Sequence, residues 1–444
     1  MNIVQLTPGS GEGFYCENCL RDKEIVRALR ALGHQVLLVP LYLPVAMEER
    51  YGPAGPIFFG GLNVYLQQKS ALFRRTPRWI DRLLDAPGLL RRLGRLAGMT
   101  RPGDLGEATL SMLDGESGRQ RKELDRLAAW LAEGPAPDVI CLSNALLVGG
   151  VRRMKEALGR AKAGGRSPPD GAGVKVACLL QDEDEFVDAL PPAYRDAAWE
   201  KMARRAGDVD VFVAVSRHFA DAMRQRLRLP AEKVRVVYPG VAAEDYSSAA
   251  APPQPPVVGF LSRMCRDKGL DLLVEAFLIL KADERLKGLR LRAAGGQTRA
   301  DDEYLAGIGR RLAGAGALTD VELLPNLDGT ARREFLSSLS VLCVPERRGE
   351  AAGFYILEAL ASGVPVVQPP TGVSPELIEA TGGGILSASG EPAALAEALR
   401  KVLLDETLRA ELARRGRQAA ANQFHVNRTA KELAAIFEEI AKSG

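Results

Sequence analysis

Cysteine is sparse, six residues in 444, too few for a disulfide framework in a chain this long. Cys141, Cys178 and Cys343 lie in apolar, strand-like runs and read as small core residues. Cys16 and Cys19 form a C-x2-C pair, half of a zinc site, and no second pair is spaced to complete it. Packing beside a glycine loop is favoured for them over metal or redox chemistry. Long hydrophobic runs are also lacking. The longest, "VLLVPLYLPVAM", falls far short of the ~20 residues of a membrane span and contains two prolines. There is no strong charge bias: the net charge of +3 is too small to argue for a nucleic-acid partner. Met1 leads straight into "NIVQL" without a basic start or a cleavage site, so the expected compartment is the cytoplasm.

What is present is the balance of a globular protein, 46% hydrophobic and 26% charged residues. The length is about three times that of a usual domain, which suits two domains of roughly 200 residues. Strand-like runs alternate with helical patterns. The first part has "NIVQL", "QVLLVPL", "PDVICLS", "VKVACLL", "DVFVAVS" and "VRVVYP"; the second has "VVGFLS", "LRLRAAGG", "VELLP", "VLCVP" and "VPVVQ". Continuous Val/Ile/Leu runs are what strands covered on both faces look like. The expected fold is therefore α/β, two doubly wound Rossmann-like domains facing a cleft. The proline-rich stretch "YSSAAAPPQPPVV" reads as the joint. The boundaries drawn from it are 1–245, a linker at 246–256, a second domain at 257–425, and a last helix at 426–444 that returns to the first domain.

Three segments carry candidate chemistry. In "GEAAGFYILEALASGVPVV" the segment from Phe354 to Ser362 reads as a buried helix whose single charge is Glu358, with Glu350 in the small-residue loop before it. A buried carboxylate needs donors. An Arg or Lys from elsewhere would serve, and so would the hydroxyls of a ligand such as a ribose diol, which the sequence context favours. In "GFLSRMCRDKGLDLL" a strand, a loop with Arg263, Arg266 and Lys268, and a helix follow one another. Cations at a helix start beyond a first strand suit a diphosphate. The third, "TPGSGEGFYCENCLRD", spaces Gly9, Gly11 and Gly13 as G-x-G-x-G, and no acid closes the second strand. That is not the dinucleotide fingerprint, and it argues against a nicotinamide dehydrogenase.

Taken together these segments resemble the retaining GT-B glycosyltransferases of family 4, or group 1. "GFLSRMCRDKG" is similar to that family's strand–Arg–Lys–Gly segment, and "EAAGFYILEALASGVPVV" to its E-x7-E segment. The resemblance implies a hexosyl-type transferase that moves a sugar from a nucleoside diphosphate sugar to an acceptor hydroxyl with retention. It implies Arg263 and Lys268 on the diphosphate, Glu358 on the ribose, and Glu350 with the backbone of Gly353 and Phe354 on the transferred sugar. Gly11 or Gly13 would lie near the phosphates, and no metal or other cofactor is expected. Glu350, Arg263 and Lys268 form the expected catalytic set: Glu350 orients, and the two cations stabilise the departing charge.

The sequence also departs from the family. Of its three histidines, His34, His218 and His425, none follows the strand where the family places one; Gln181 stands there, followed by Asp182, Glu183 and Asp184. Ala352 replaces the family's aromatic. Gln181, Asp182, Asp184 and Asn144 are taken as acceptor-side candidates, for an acceptor that could be a glycan, lipid or small molecule. Residues 73–101, basic and partly amphipathic around Trp79, offer a weak peripheral contact with the inner membrane face, although a solvated arginine face is the plainer account. The rival functions are a GT-B nucleotide-sugar epimerase or phosphorylase, and a catalysis-deficient sugar-nucleotide-binding protein.

Overall fold

The structure, a computed structural model, describes residues 1–8, 17–42, 58–59, 102–162, 173–247 and 253–443. Gly11, Gly13, Cys16 and the 73–101 stretch lie outside the described residues. By contact, the described chain up to Tyr238 groups with Ala430 and the residues after it, and Pro239–Thr429 form a second unit.

The first unit is a six-stranded parallel sheet, ordered β2-β1-β3-β4-β5-β6. Its strands are β1 (Asn2–Thr7), β2 (Gln35–Pro40), β3 (Val139–Leu142), β4 (Lys175–Leu180), β5 (Val211–Ala214) and β6 (Val234–Val236). The helices are α1 (Glu17–Ala31), α2 (Pro102–Leu113), α3 (Arg121–Glu133), α4 (Val151–Lys162), α5 (Glu183–Asp188), α6 (Pro192–Arg205) and α7 (Arg217–Leu227). "VICL" of β3 and "VFVA" of β5 are buried throughout, as unbroken apolar runs require, whereas the edge strand β6 is half-buried.

The second unit repeats the plan with strand order β12-β11-β10-β7-β8-β9. Its strands are β7 (Val257–Leu261), β8 (Arg290–Gly295), β9 (Val321–Pro325), β10 (Val341–Leu342), β11 (Val366–Gln368) and β12 (Gly384–Leu386). Its helices are α8 (Leu270–Lys281), α9 (Asp302–Gly314), α10 (Gly329–Ser337), α11 (Phe354–Ala361), α12 (Ser374–Thr381), α13 (Pro392–Leu404) and α14 (Glu406–Asn422). The closing helix α15 (Val426–Lys442) begins in the second unit, and from Ala430 its contacts are with the first. Every residue of α11 is buried, so this helix is core on all sides.

By contact, the chain divides after Tyr238, earlier than the 245 read from composition. Val241 forms a parallel bridge with His425, and Arg417 donates to the carbonyl of Tyr246, which ties this stretch to the second unit. In each sheet the order reverses between two neighbours, β1/β3 in the first and β7/β10 in the second, and connections leave in opposite directions there. Such a point opens a crevice at the carboxyl ends of the two strands.

Candidate functional site

At the β7/β10 reversal two loops meet. The one after β7 carries Arg263 and Lys268; the one after β10 carries Glu346 and Glu350. Gly269 explains how closely they approach. Its φ of +76° is in the left-handed region, and a Cβ there would stand 2.0 Å from the carbonyl oxygen of Pro345. Only glycine lets the backbones touch, which delivers Lys268 to the acids. Its Nζ lies 2.8 Å from Glu346 Oε1 and 3.2 Å from Glu350 Oε2, and all three side chains are largely buried.

The next turn leads into α11. Gly353 caps it at φ +64°, where a Cβ would press on Leu377 and Val373 at 2.7 and 2.9 Å. Glu350, Gly353 and the backbone of Phe354 are thereby held in one continuous turn, with the Phe354 ring itself in the core. Lys268 and Glu350, matched in the sequence as donor-site residues, come together. Glu346 completes their cluster, and sequence reading missed it. Arg263 goes elsewhere: its guanidinium takes Asp301, at 3.1 and 3.3 Å, in the turn before α9, and its side chain is 44% exposed.

Glu358 corrects an expectation. The sequence context favours a ligand's hydroxyls as its donors, but the protein supplies them. Tyr246 Oη donates to Oε1 at 2.7 Å and the Arg332 guanidinium to Oε2, with Glu358 and Arg332 both buried. The acid stays in an apolar helix because a cation from α10 and a phenol meet it there.

In the first unit the residues at the β1/β3 reversal also cluster. Asp22 of α1 is 1% exposed and accepts from Thr7 Oγ1 at 2.8 Å and from Gln181 Nε2 at 3.4 Å. Gln181 also donates to the carbonyl of Ser143 at 2.6 Å. Burial pushes the Asp22 carboxyl up to about 6, although its donors and Arg21 pull the other way. Asp182, at φ +63°, pairs with Arg21 at 3.2 Å. Of the acceptor-side candidates, then, Gln181 and Asp182 come together with Asp22 and Arg21. Asn144 caps the turn that follows it, accepting from Leu146 N at 3.2 Å. Asp184 is half-buried and faces the charge of Arg226.

The "QDEDEF" stretch, read as a hydrophilic loop, hides a buried acid. Glu183 accepts from the amides of Ala145 and Gln181 at 2.7 and 2.8 Å, yet burial still raises its carboxyl from 4.5 to about 7. Folded protein therefore keeps a proton that the unfolded chain has already released. The sign follows: the unfolded state binds fewer protons, so the stability that Glu183 contributes is fully present below about pH 4.5 and is lost as pH rises through about 7. The urea midpoint of the first unit is expected to drop across that window, and Glu183→Gln to flatten the drop.

Two parallel α/β units, each with its polar cluster at a strand-order reversal, define the GT-B class. Comparison with known proteins agrees. The family model described as Glycosyl transferases group 1 matches residues 243–419, and that of Glycosyltransferase Family 4 matches 114–245. The chain belongs to the group 1 glycosyltransferases. It is 30% identical over 281 residues to the D-inositol 3-phosphate glycosyltransferase of Saccharomonospora viridis, covering 60% of this chain and 62% of that one. With the phosphatidyl-myo-inositol mannosyltransferase of Mycobacterium leprae it shares 29% identity over 131 residues, 29% of this chain and 35% of the other. The chain thus spans about half the length of the curated relatives it matches.

Among solved structures, Anabaena HepE in complex with UDP superposes with a TM-score of 0.68 at 17% identity, over 99% of this chain and 100% of that one. Sucrose-phosphate synthase of Thermosynechococcus elongatus gives 0.68 at 16% identity, with both chains covered in full. Likeness at that identity concerns the fold. Among the described residues no helix is long and apolar enough to cross a membrane.

Proposed function

We propose that the protein transfers a hexosyl group from a nucleoside diphosphate sugar to an acceptor hydroxyl, with retention of configuration and without a metal. The observation that carries the reading is Lys268 held between Glu346 and Glu350 at the second sheet's reversal point. An ammonium over a backbone turn entering a helix suits the departing diphosphate, and the neighbouring carboxylate suits sugar hydroxyls. HepE was solved with UDP and with UDP-glucose, which makes uridine diphosphate sugars the first donors to try.

Lys268 stabilises the charge that develops as the glycosidic oxygen leaves. Arg263, exposed enough to swing from Asp301, adds a second charge. Glu350 orients the sugar, while the leaving phosphate accepts the proton of the incoming hydroxyl. Gln181 and Asp182 lie on the acceptor side. Glu358 reaches a ribose only if Arg332 or Tyr246 yields an oxygen to it. The protein acts in the cytoplasm, and residues 73–101 supply any contact with the inner membrane face.

A thermal-shift screen of nucleoside diphosphates and their sugars tests the donor site. A ligand at 100 times its Kd adds about 2.7 kcal/mol to the stability of the folded state. The expected result is a shift with one base, followed by release of nucleoside diphosphate, in the presence of a chelator, only when an acceptor is added. Epimer formation without an acceptor, or tight binding with no turnover against a broad acceptor set, would overturn the transferase reading.

A further inference from the structure

The loop after β10 holds a carboxyl group for which the transfer reaction has no use. Glu346 is 6% exposed. Its Oε1 is buried and lies 2.8 Å from Lys268 Nζ, an ionic contact. The same ammonium lies 3.2 Å from Glu350 Oε2. One cation thus serves two buried acids. Arg347, next in the chain, is turned away to Asp271 of α8 at 2.7 and 2.9 Å, and Tyr304 of α9 donates to that same acid at 2.8 Å. The charged groups that face Glu346, among the described residues, are therefore Lys268 and Glu350.

Were both carboxylates ionised beside the one ammonium, these described groups would carry a net negative charge in the place where a diphosphate must enter. Burial, and then the charge of Glu350, push the Glu346 carboxyl well above the usual carboxylate range, while Lys268 pulls it back. Building on the donor reading above, we propose that Glu346 makes donor binding proton-linked: when a nucleoside diphosphate sugar engages Lys268, the Glu346–Glu350 pair takes up a proton from solvent. The ammonium that turns to the phosphates is the one that favours the ionised form of Glu346. As it is shared, the pair binds a proton more tightly, and the added proton in turn removes repulsion against the ligand. Glu346 is a positioning residue: it sets the charge of the site through Lys268 and Glu350.

The pair titrates as a unit, so the linkage is read from the pair's behaviour as a whole. Below its titration range the proton is already in place and affinity is independent of pH. Between the pair's titration in the free protein and its higher titration in the complex, each binding event draws in up to one proton, and affinity falls towards tenfold per pH unit.

Calorimetric titration of the full chain with UDP-glucose, GDP-mannose and ADP-glucose tests this, from about pH 6 to about 8.5, in buffers of different ionisation enthalpy. The diphosphates of these sugars carry no group that titrates in that range. Wild-type protein is expected to take up about half a proton or more at the alkaline end, with Kd weakening several-fold per pH unit. Glu346→Gln is expected to bind with little uptake, a nearly flat pH profile, and tighter affinity than wild type at about pH 8.5. Binding to wild type with no proton uptake overturns the linkage and leaves the donor reading standing; the wild-type profile gives this answer even if the variant does not fold. Uptake that persists in Glu346→Gln assigns the proton elsewhere and overturns the role of Glu346. Failure of all three sugars to bind overturns the donor reading and this inference together.

Discussion

Glu350→Gln is expected to lower the rate of glycosyl transfer by about 10²–10³-fold, the usual loss when one preorganised electrostatic partner is removed. The donor Kd should change far less. The substitution keeps the size of the side chain and its place in the turn before α11, and Lys268 and the backbone stay in position for the diphosphate. Separate measurements of kcat and of donor Kd check this. An unchanged rate with donor still bound would remove Glu350 from the reaction. A rate preserved at a weaker Kd would make it a ground-state binding group instead.

Arg332→Met should be strongly destabilising. Glu358 would then lie in a wholly apolar helix with only the Tyr246 hydroxyl to meet it. Breaking a buried pair by removing one partner costs about 3–5 kcal/mol. At about 2–4 °C per kcal/mol, that lowers the Tm of the second unit by of order 10 °C. Adding Glu358→Gln to Arg332→Met should recover much of the loss, because no charge is then left stranded. Thermal and urea unfolding of the two variants, with and without donor, also weigh ligand against ion pair. If a ribose diol were the main partner of Glu358, loss of Arg332 would leave the free protein's stability nearly intact.

The fold was legible because its strands are unbroken apolar runs, and eleven such runs coincide with β1 to β11. β12 escaped notice: "GIL" is three residues long and follows two further glycines, too short to give any period. Lys268 and Glu350 were readable as motif members, since each stands where a strand hands over to a helix. Their companions were not. Glu346 sits in "PERRGE", which composition takes for a solvated turn; only the Gly269–Pro345 approach buries it. Arg332 lies 26 residues before Glu358 in "TARREF", one arginine of two, and nothing local says which faces the core. Asp22 is likewise a charge in a helix whose polar and apolar faces are poorly separated in sequence. Partner choice across tens of residues is a property of tertiary packing, which local pattern does not encode.

Lys268 and Glu350 are 82 positions apart, and the sheet joins them only where β10, two residues long, slots between β7 and β11. The two loops are brought together only when β10 is paired with β7 on one side and β11 on the other. On the proposed reading, a chain in which that pairing is not made has no donor site to offer. A sugar nucleotide bound there as proposed would be a latch on the finished sheet, slowing its escape, and not a template that speeds its assembly.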